Sequence, residues 1–209
     1  MKVLEATAMA RPKGMRASFI ALAAGLLLLT GCASTKVDLR GTLLKAPLCR
    51  VGEPPVSTLL YWTPQWRADQ KEPQRREEAA QRGLEDFLAR STCLSKVAIE
   101  RLAPGQALAT NDEILRMAAA RGVLPDRILL VVVRELGPKL SIGLPVIVEG
   151  GTEVRIDVRV LDPKAPQTLA DTQTLWQNGG AFVIKGVGTL DGDLSQALRA
   201  TLMEWQGAR

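Results

Sequence analysis

"ILLVVV", residues 128–133, is the stretch on which the fold turns. Six apolar residues in a row, four of them β-branched, suit a central strand buried on both faces. Downstream, Val154, Ile156, Val158 and Val160 alternate with Glu153, Arg155, Asp157 and Arg159. That is a strand with one apolar and one wet face. A partner strand is expected from Leu140 to Val148, with Glu149-Gly150-Gly151 turning the chain between them. Thr168 to Gln177 predicts a further strand. Upstream, "VSTLLYW", Val56 to Trp62, reads as a buried strand that Thr63-Pro64 ends, and Lys96 to Leu102 as a short one.

Helical signals fall between these runs. Pro73 suits a first helical position, and Ala80, Leu84, Phe87 and Leu88 form one stripe at helical spacing up to Arg90. Arg75, Arg76, Glu77, Glu78, Arg82 and Glu85 are assigned to its wet face. Thr110 with Glu113 three residues on predicts a capping box, and Gly122 a stop. Asp193 with Gln196 predicts the start of a last helix, with Leu194, Ala197, Leu198, Leu202 and Trp205 on its apolar face. The expected class is α+β: one mixed sheet of about five strands with helices mainly on one face.

The amino-terminal segment carries an address. Phe19 to Leu29 is an apolar run of about eleven residues behind Lys13 and Arg16, too short for a membrane span and suited to a secretory signal. Leu29-Thr30-Gly31-Cys32 resembles the lipobox of bacterial lipoproteins. The resemblance implies cleavage before Cys32 and acylation of its thiol. It also implies the periplasmic face of the outer membrane, because Ala33 rather than Asp follows the cysteine. Met15 would give a more compact signal than Met1. The expected organisation is a signal over 1–31, an acylated tether over 32–47 with a short strand near Val37 to Leu43, and one periplasmic domain over 48–209. Lys2, Arg11, Lys13 and Arg16 against Glu5 leave with the signal, and they carry more than half of the net charge of +5. Charge therefore gives no case for nucleic-acid binding.

Two cysteines remain, Cys49 and Cys93. In an oxidising periplasm an even pair reads as a disulfide. Closing a loop of about 45 residues stabilises by roughly 4 kcal/mol in the chain-entropy model.

The order of elements resembles the small α/β domain of several envelope proteins. It is similar to the curli-secretion lipoprotein, to lipoprotein activators of penicillin-binding proteins, and to the amino-terminal domain of the Tol-system propeller protein. The resemblance lies in element order alone and implies a docking module in an envelope complex; no residue role comes with it.

The chain has no histidine, which removes Ser-His-Asp and Cys-His chemistry and histidine-liganded metals. No metal ligand set or cofactor is expected. The carboxylates Glu77-Glu78, Glu85-Asp86, Asp112-Glu113 and Asp191/Asp193 could pair for glycoside hydrolysis, but read more simply as helix surface and helix starts. "NGGAFVIKGVG", residues 178–188, matches no phosphate-binding pattern and reads as a turn and loop. A lipid-facing barrel would need about ten residues per strand, and Pro145 interrupts the one good hairpin.

"YWTPQWRADQK", residues 61–71, places two tryptophans and the only tyrosine within six residues, beside Arg67. Aromatic and arginine side chains concentrate binding energy. Trp62, Trp66 and Arg67 are therefore the candidate partner-binding residues, with core packing beneath the first helix as the alternative for the tryptophans. The expected function is a non-catalytic docking, assembly or activating subunit of an envelope complex, held to the membrane by its acyl chains. A lipid or small-ligand carrier is the second reading, and a carboxylate-dependent peptidoglycan hydrolase the third.

Overall fold

The computed structural model describes residues 34–204, apart from 104, 107, 108, 123, 144–146, 166, 182 and 184. All belong to the unit Ala33–Arg209. The expected signal, lipobox and Cys32 lie outside the described residues, as does Trp205. No helix among the described residues is long and apolar enough to cross a membrane.

The fold is α+β. Its elements are β1 (Ser34–Thr42), β2 (Val56–Pro64), α1 (Pro73–Arg90), β3 (Leu94–Arg101), α2 (Asn111–Ala119), β4 (Arg127–Gly143), β5 (Ile147–Asp162), β6 (Gln167–Ala181) and α3 (Leu190–Leu202). One mixed sheet runs β1-β6-β5-β4-β2-β3. β2 lies between β3 and β4 and is parallel to both; the remaining neighbours are antiparallel.

The run 128–133 is buried throughout. Leu129, Val131 and Val133 join a core under α1 and α3, with Leu60, Val154, Ile156, Val158 and Trp176 from the neighbouring strands. Ile128 and Leu130 join a smaller core on the opposite face, with Leu59, Tyr61 and Leu161, under Ile114 and Ala118 of α2. Each fully buried Leu or Val there contributes about 1.5–3 kcal/mol.

Two helices thus share one face and α2 takes the other. Crossover handedness accounts for this. The chain steps outward from β2 to β3 through α1, then back past β2 to β4 through α2. Right-handed connections that step in opposite directions put their helices on opposite faces.

Several expectations need correction. The sheet has six strands: the run 128–133 and the start of the strand expected over 140–148 form one strand, β4, and the segment expected as a tether with a short strand forms a nine-residue edge strand. β1 pairs with β6 from Ser34↔Gly179 to Thr42↔Asp171. Its exposed Lys36, Asp38 and Arg40 are the charges that keep a free edge from recruiting further strands. Gly150 and Gly151 do not turn the chain. They lie within β5, opposite Leu140 and Lys139 on one side and Gly180 and Gly179 on the other. Glycine is needed because the strands approach closely: a Cβ on Gly151 would stand 2.5 Å from the Asn178 carbonyl oxygen. For the same reason Asn178 to Ala181 continue β6 rather than open a loop.

α1 spans Pro73–Arg90 as expected, and α2 begins with the Thr110–Glu113 capping box. α3 begins at Leu190, ahead of the expected start. Asp193 is therefore inside the first turn, buried, and accepts hydrogen bonds from Thr152 Oγ1 and Thr189 Oγ1. Cys49 and Cys93 are joined by a disulfide. It fixes the segment before β2 to the turn between α1 and β3, where Val56 N also donates to the Cys93 carbonyl.

Candidate functional site

The site is a consequence of unequal strand lengths. β2 ends at Pro64, opposite Val133, whereas β4 runs on to Gly143. From Arg134 onward β4 has lost its neighbour on that side, and buried backbone groups left without partners are costly. The loop after β2 and the start of α1 supply them. Gln65 N donates to the Val133 carbonyl at 2.9 Å. Arg76 donates from Nη1 to the Leu136 carbonyl and from Nε to the Lys71 carbonyl, the latter at 2.7 Å.

Arg76 was assigned to the wet face of α1; its side chain is only 10% exposed. Gly137 makes room for it, since a Cβ there would collide with the guanidinium. Glu135 completes the arrangement. It stands 3.3 Å from Arg76 Nη1 and 3.3 Å from Arg67 Nη2, and accepts from Gln70 Nε2 at 2.9 Å. With its side chain 15% exposed, this carboxylate needs those partners. A bulge in β4 between Val133 and Glu135 brings it to this position. The result is a groove of about 540 Å³, open to solvent, between Arg67, Gln70 and Lys71 on one bank and Pro138, Lys139 and Glu153 on the other.

The three candidate residues separate. Trp62 is 1% exposed and belongs to the core. Its Nε1 donates to Gln81 at 2.9 Å, and the Arg101 guanidinium lies 6.0 Å from its ring centroid. It is thus not a surface contact; the packing alternative holds for it because α1 crosses above β2. Trp66 is half-buried and packs against the same core, with its Nε1 buried and without a hydrogen-bond partner among the described residues. Arg67 is 67% exposed and reaches across to Glu135.

Charge along the sheet continues from this groove. Glu153 loses stability as an anion through burial. Hydrogen bonds from Arg155 and Gln177 more than offset that, and its carboxyl sits below the usual range. Lys139 is 3.6 Å away. Farther along the uncovered face, Asp38, Arg40, Arg134, Arg155, Asp157 and Gln173 line a shallow groove, and Arg134 pairs with Asp157. This is the expected half-wet sheet.

Among the described residues, six of the eight carboxylates weighed for acid–base work, all but Glu78 and Asp112, have structural partners. Glu77 holds Arg101, Glu85 accepts from Gln81, Asp86 holds Arg90, Glu113 caps α2, Asp191 faces Arg82, and Asp193 is pinned to Thr152. Lys185 of the glycine-rich segment stands 3.9 Å from Asp193.

Sequence patterning did not reveal Gln70, Arg76 or Glu135. One signal was present: Arg134-Glu135 interrupts an apolar strand two residues before Gly137, and a bulge in a strand re-aims side chains.

No protein-family model matches the chain. No curated protein matches it either. Among solved structures it is similar to the PelC dodecamer from Paraburkholderia phytofirmans, at 9% identity over 82% of this chain and 99% of that one, with a TM-score of 0.42. It is also similar to lipoprotein GNA1162 from Neisseria meningitidis, at 15% identity over 70% and 96% of the two chains and a TM-score of 0.33. Protein XCC0632 from Xanthomonas campestris gives 14% identity over 78% and 88%, also at 0.33. These likenesses are loose, and no residue role passes from them to this chain.

Proposed function

We propose that the chain is a cell-envelope lipoprotein, acylated at Cys32 and held at the periplasmic face of the outer membrane. Its α+β domain docks a protein partner and catalyses no reaction. The observation that carries the docking reading is the Trp66–Arg67 loop. It presents an aromatic and an arginine beside the part of β4 that has no strand neighbour, and the Arg76–Glu135 pair braces it. A rigid loop loses little entropy on binding, and tryptophan and arginine are the side chains that anchor interfaces. The Cys49–Cys93 disulfide supports an oxidising compartment. Leu29-Thr30-Gly31-Cys32 supports the anchor.

Two substitutions test the two halves of this reading in cells. Cys32→Ser should abolish incorporation of labelled palmitate and release the protein from membranes. Arg67→Gln keeps a hydrogen-bond donor beside Glu135, which also retains Arg76 and Gln70, so it should leave the thermal midpoint within a few degrees. It should also lower recovery of the partner by at least about tenfold, the effect of losing ~1.4 kcal/mol of binding. Full recovery with both Arg67→Gln and Trp66→Ala would remove the loop as the docking site.

A further inference from the structure

We propose that the β4–β5 end of the sheet rests on the bilayer surface, with Leu140 in the interfacial layer. This rests on acylation at Cys32. Only Ala33 separates Cys32 from the start of β1 at Ser34, and these two residue steps cover at most about 7 Å fully extended. An acylated Cys32 therefore has no free tether. It holds one end of the sheet at the membrane.

That end is defined by register. Ser34 pairs with Gly179, Gly179 with Gly151, and Gly151 with Lys139. β4 and β5 continue past this row by four pairs, from Leu140↔Gly150 to Gly143↔Ile147. At about 3.3 Å per residue this overhang is roughly 13 Å, longer than the link to Cys32. These strand ends thus project toward the lipid.

Its composition fits. Lys139 and Glu149 bound a segment, Leu140 to Val148, with no charged residue. Leu140 is 66% exposed, a large apolar side chain offered to its surroundings. The opposite end of the same strands carries Asp126, Arg127, Asp162 and Lys164, bound to one another in ion pairs. Lys139 on the row itself, and Lys36 two residues inward on β1, stand where anionic headgroups would lie. These strand ends do not cross the bilayer, because two strands with open edges leave backbone groups unpaired in hydrocarbon. They sit in the interface, beside the acyl chains.

The test uses the full acylated protein in vesicles of phosphatidylethanolamine and phosphatidylglycerol. Cys49 and Cys93 are bonded and Cys32 is modified, so a single introduced cysteine is the free thiol. Nitroxide labels at Leu140→Cys and, at the far end of β1, Thr42→Cys are compared, with circular dichroism checking the fold of each. The ratio of collision rates with oxygen to those with a water-soluble nickel chelate should be at least about fivefold higher at 140 than at 42. Equal ratios on protein that floats with the vesicles would overturn the contact of these strand ends and leave the anchor standing. Protein that does not float would overturn the anchor, and the proposal with it.

Discussion

Asp126 shows how much one side chain can hold in this fold. It stands at the entry to β4 and accepts from Lys164 Nζ at 2.6 Å, from Ser57 Oγ at 2.7 Å and from Ser57 N at 2.9 Å. Its own N–H donates back to the Ser57 carbonyl and hydroxyl. The Lys164 hydrogen bond, then those from Ser57, hold the carboxyl far below the usual carboxylate range. A depressed folded-state pKa stabilises the fold fully above the unfolded value, about 3.9, and the contribution fades as pH falls below it. Asp126→Asn should therefore be less stable than the parent at pH 7, with the gap closing as pH is lowered from about 4 toward 2. Urea midpoints for the two proteins across that range check this; a gap independent of pH would contradict it. Asp126 and Arg76 were both illegible from sequence for one reason. Their partners, Ser57 and Leu136, stand 69 and 60 residues away, and no local period records such a pairing.

At the scale of elements, what was legible is what has a period. The apolar stripe of α1, the alternation in β5, the run 128–133 and the Thr110 cap each follow from neighbours in the chain. What was missed depended on long-range pairing. β1 is short of apolar residues and becomes a strand because β6, 145 residues on from Ser34 to Gly179, completes it. Gly150-Gly151 carries the composition of a turn, yet serves close strand approach. The disulfide was legible from arithmetic and compartment together. It joins elements that are also held otherwise, since Leu48 N donates to the Leu202 carbonyl at the end of α3. Replacing Cys49 and Cys93 together by alanine should leave the fold intact and lower the unfolding free energy by about 4 kcal/mol. Denaturant titration measures this, and an unchanged free energy would show that the loop is constrained without the bond.

For the whole molecule, fold class was legible from element order, and the use of both sheet faces follows once crossover handedness is applied. The site was legible only in part. The aromatic–arginine segment spans the end of β2 and the loop after it, and three-dimensional packing divides it. Trp62 stabilises the core and Trp66 packs against it, while Arg67 borders a groove that exists because β4 outruns β2. The resulting account is an anchored module with one end at the lipid and a braced loop for a protein partner. The most direct test is photo-crosslinking in living cells, with benzoylphenylalanine at position 67 and, as a control, at position 124 on an exposed turn away from the groove. The account predicts one discrete adduct with an envelope protein from position 67 and none from 124. No adduct at 67, or the same adducts from both positions, would contradict it.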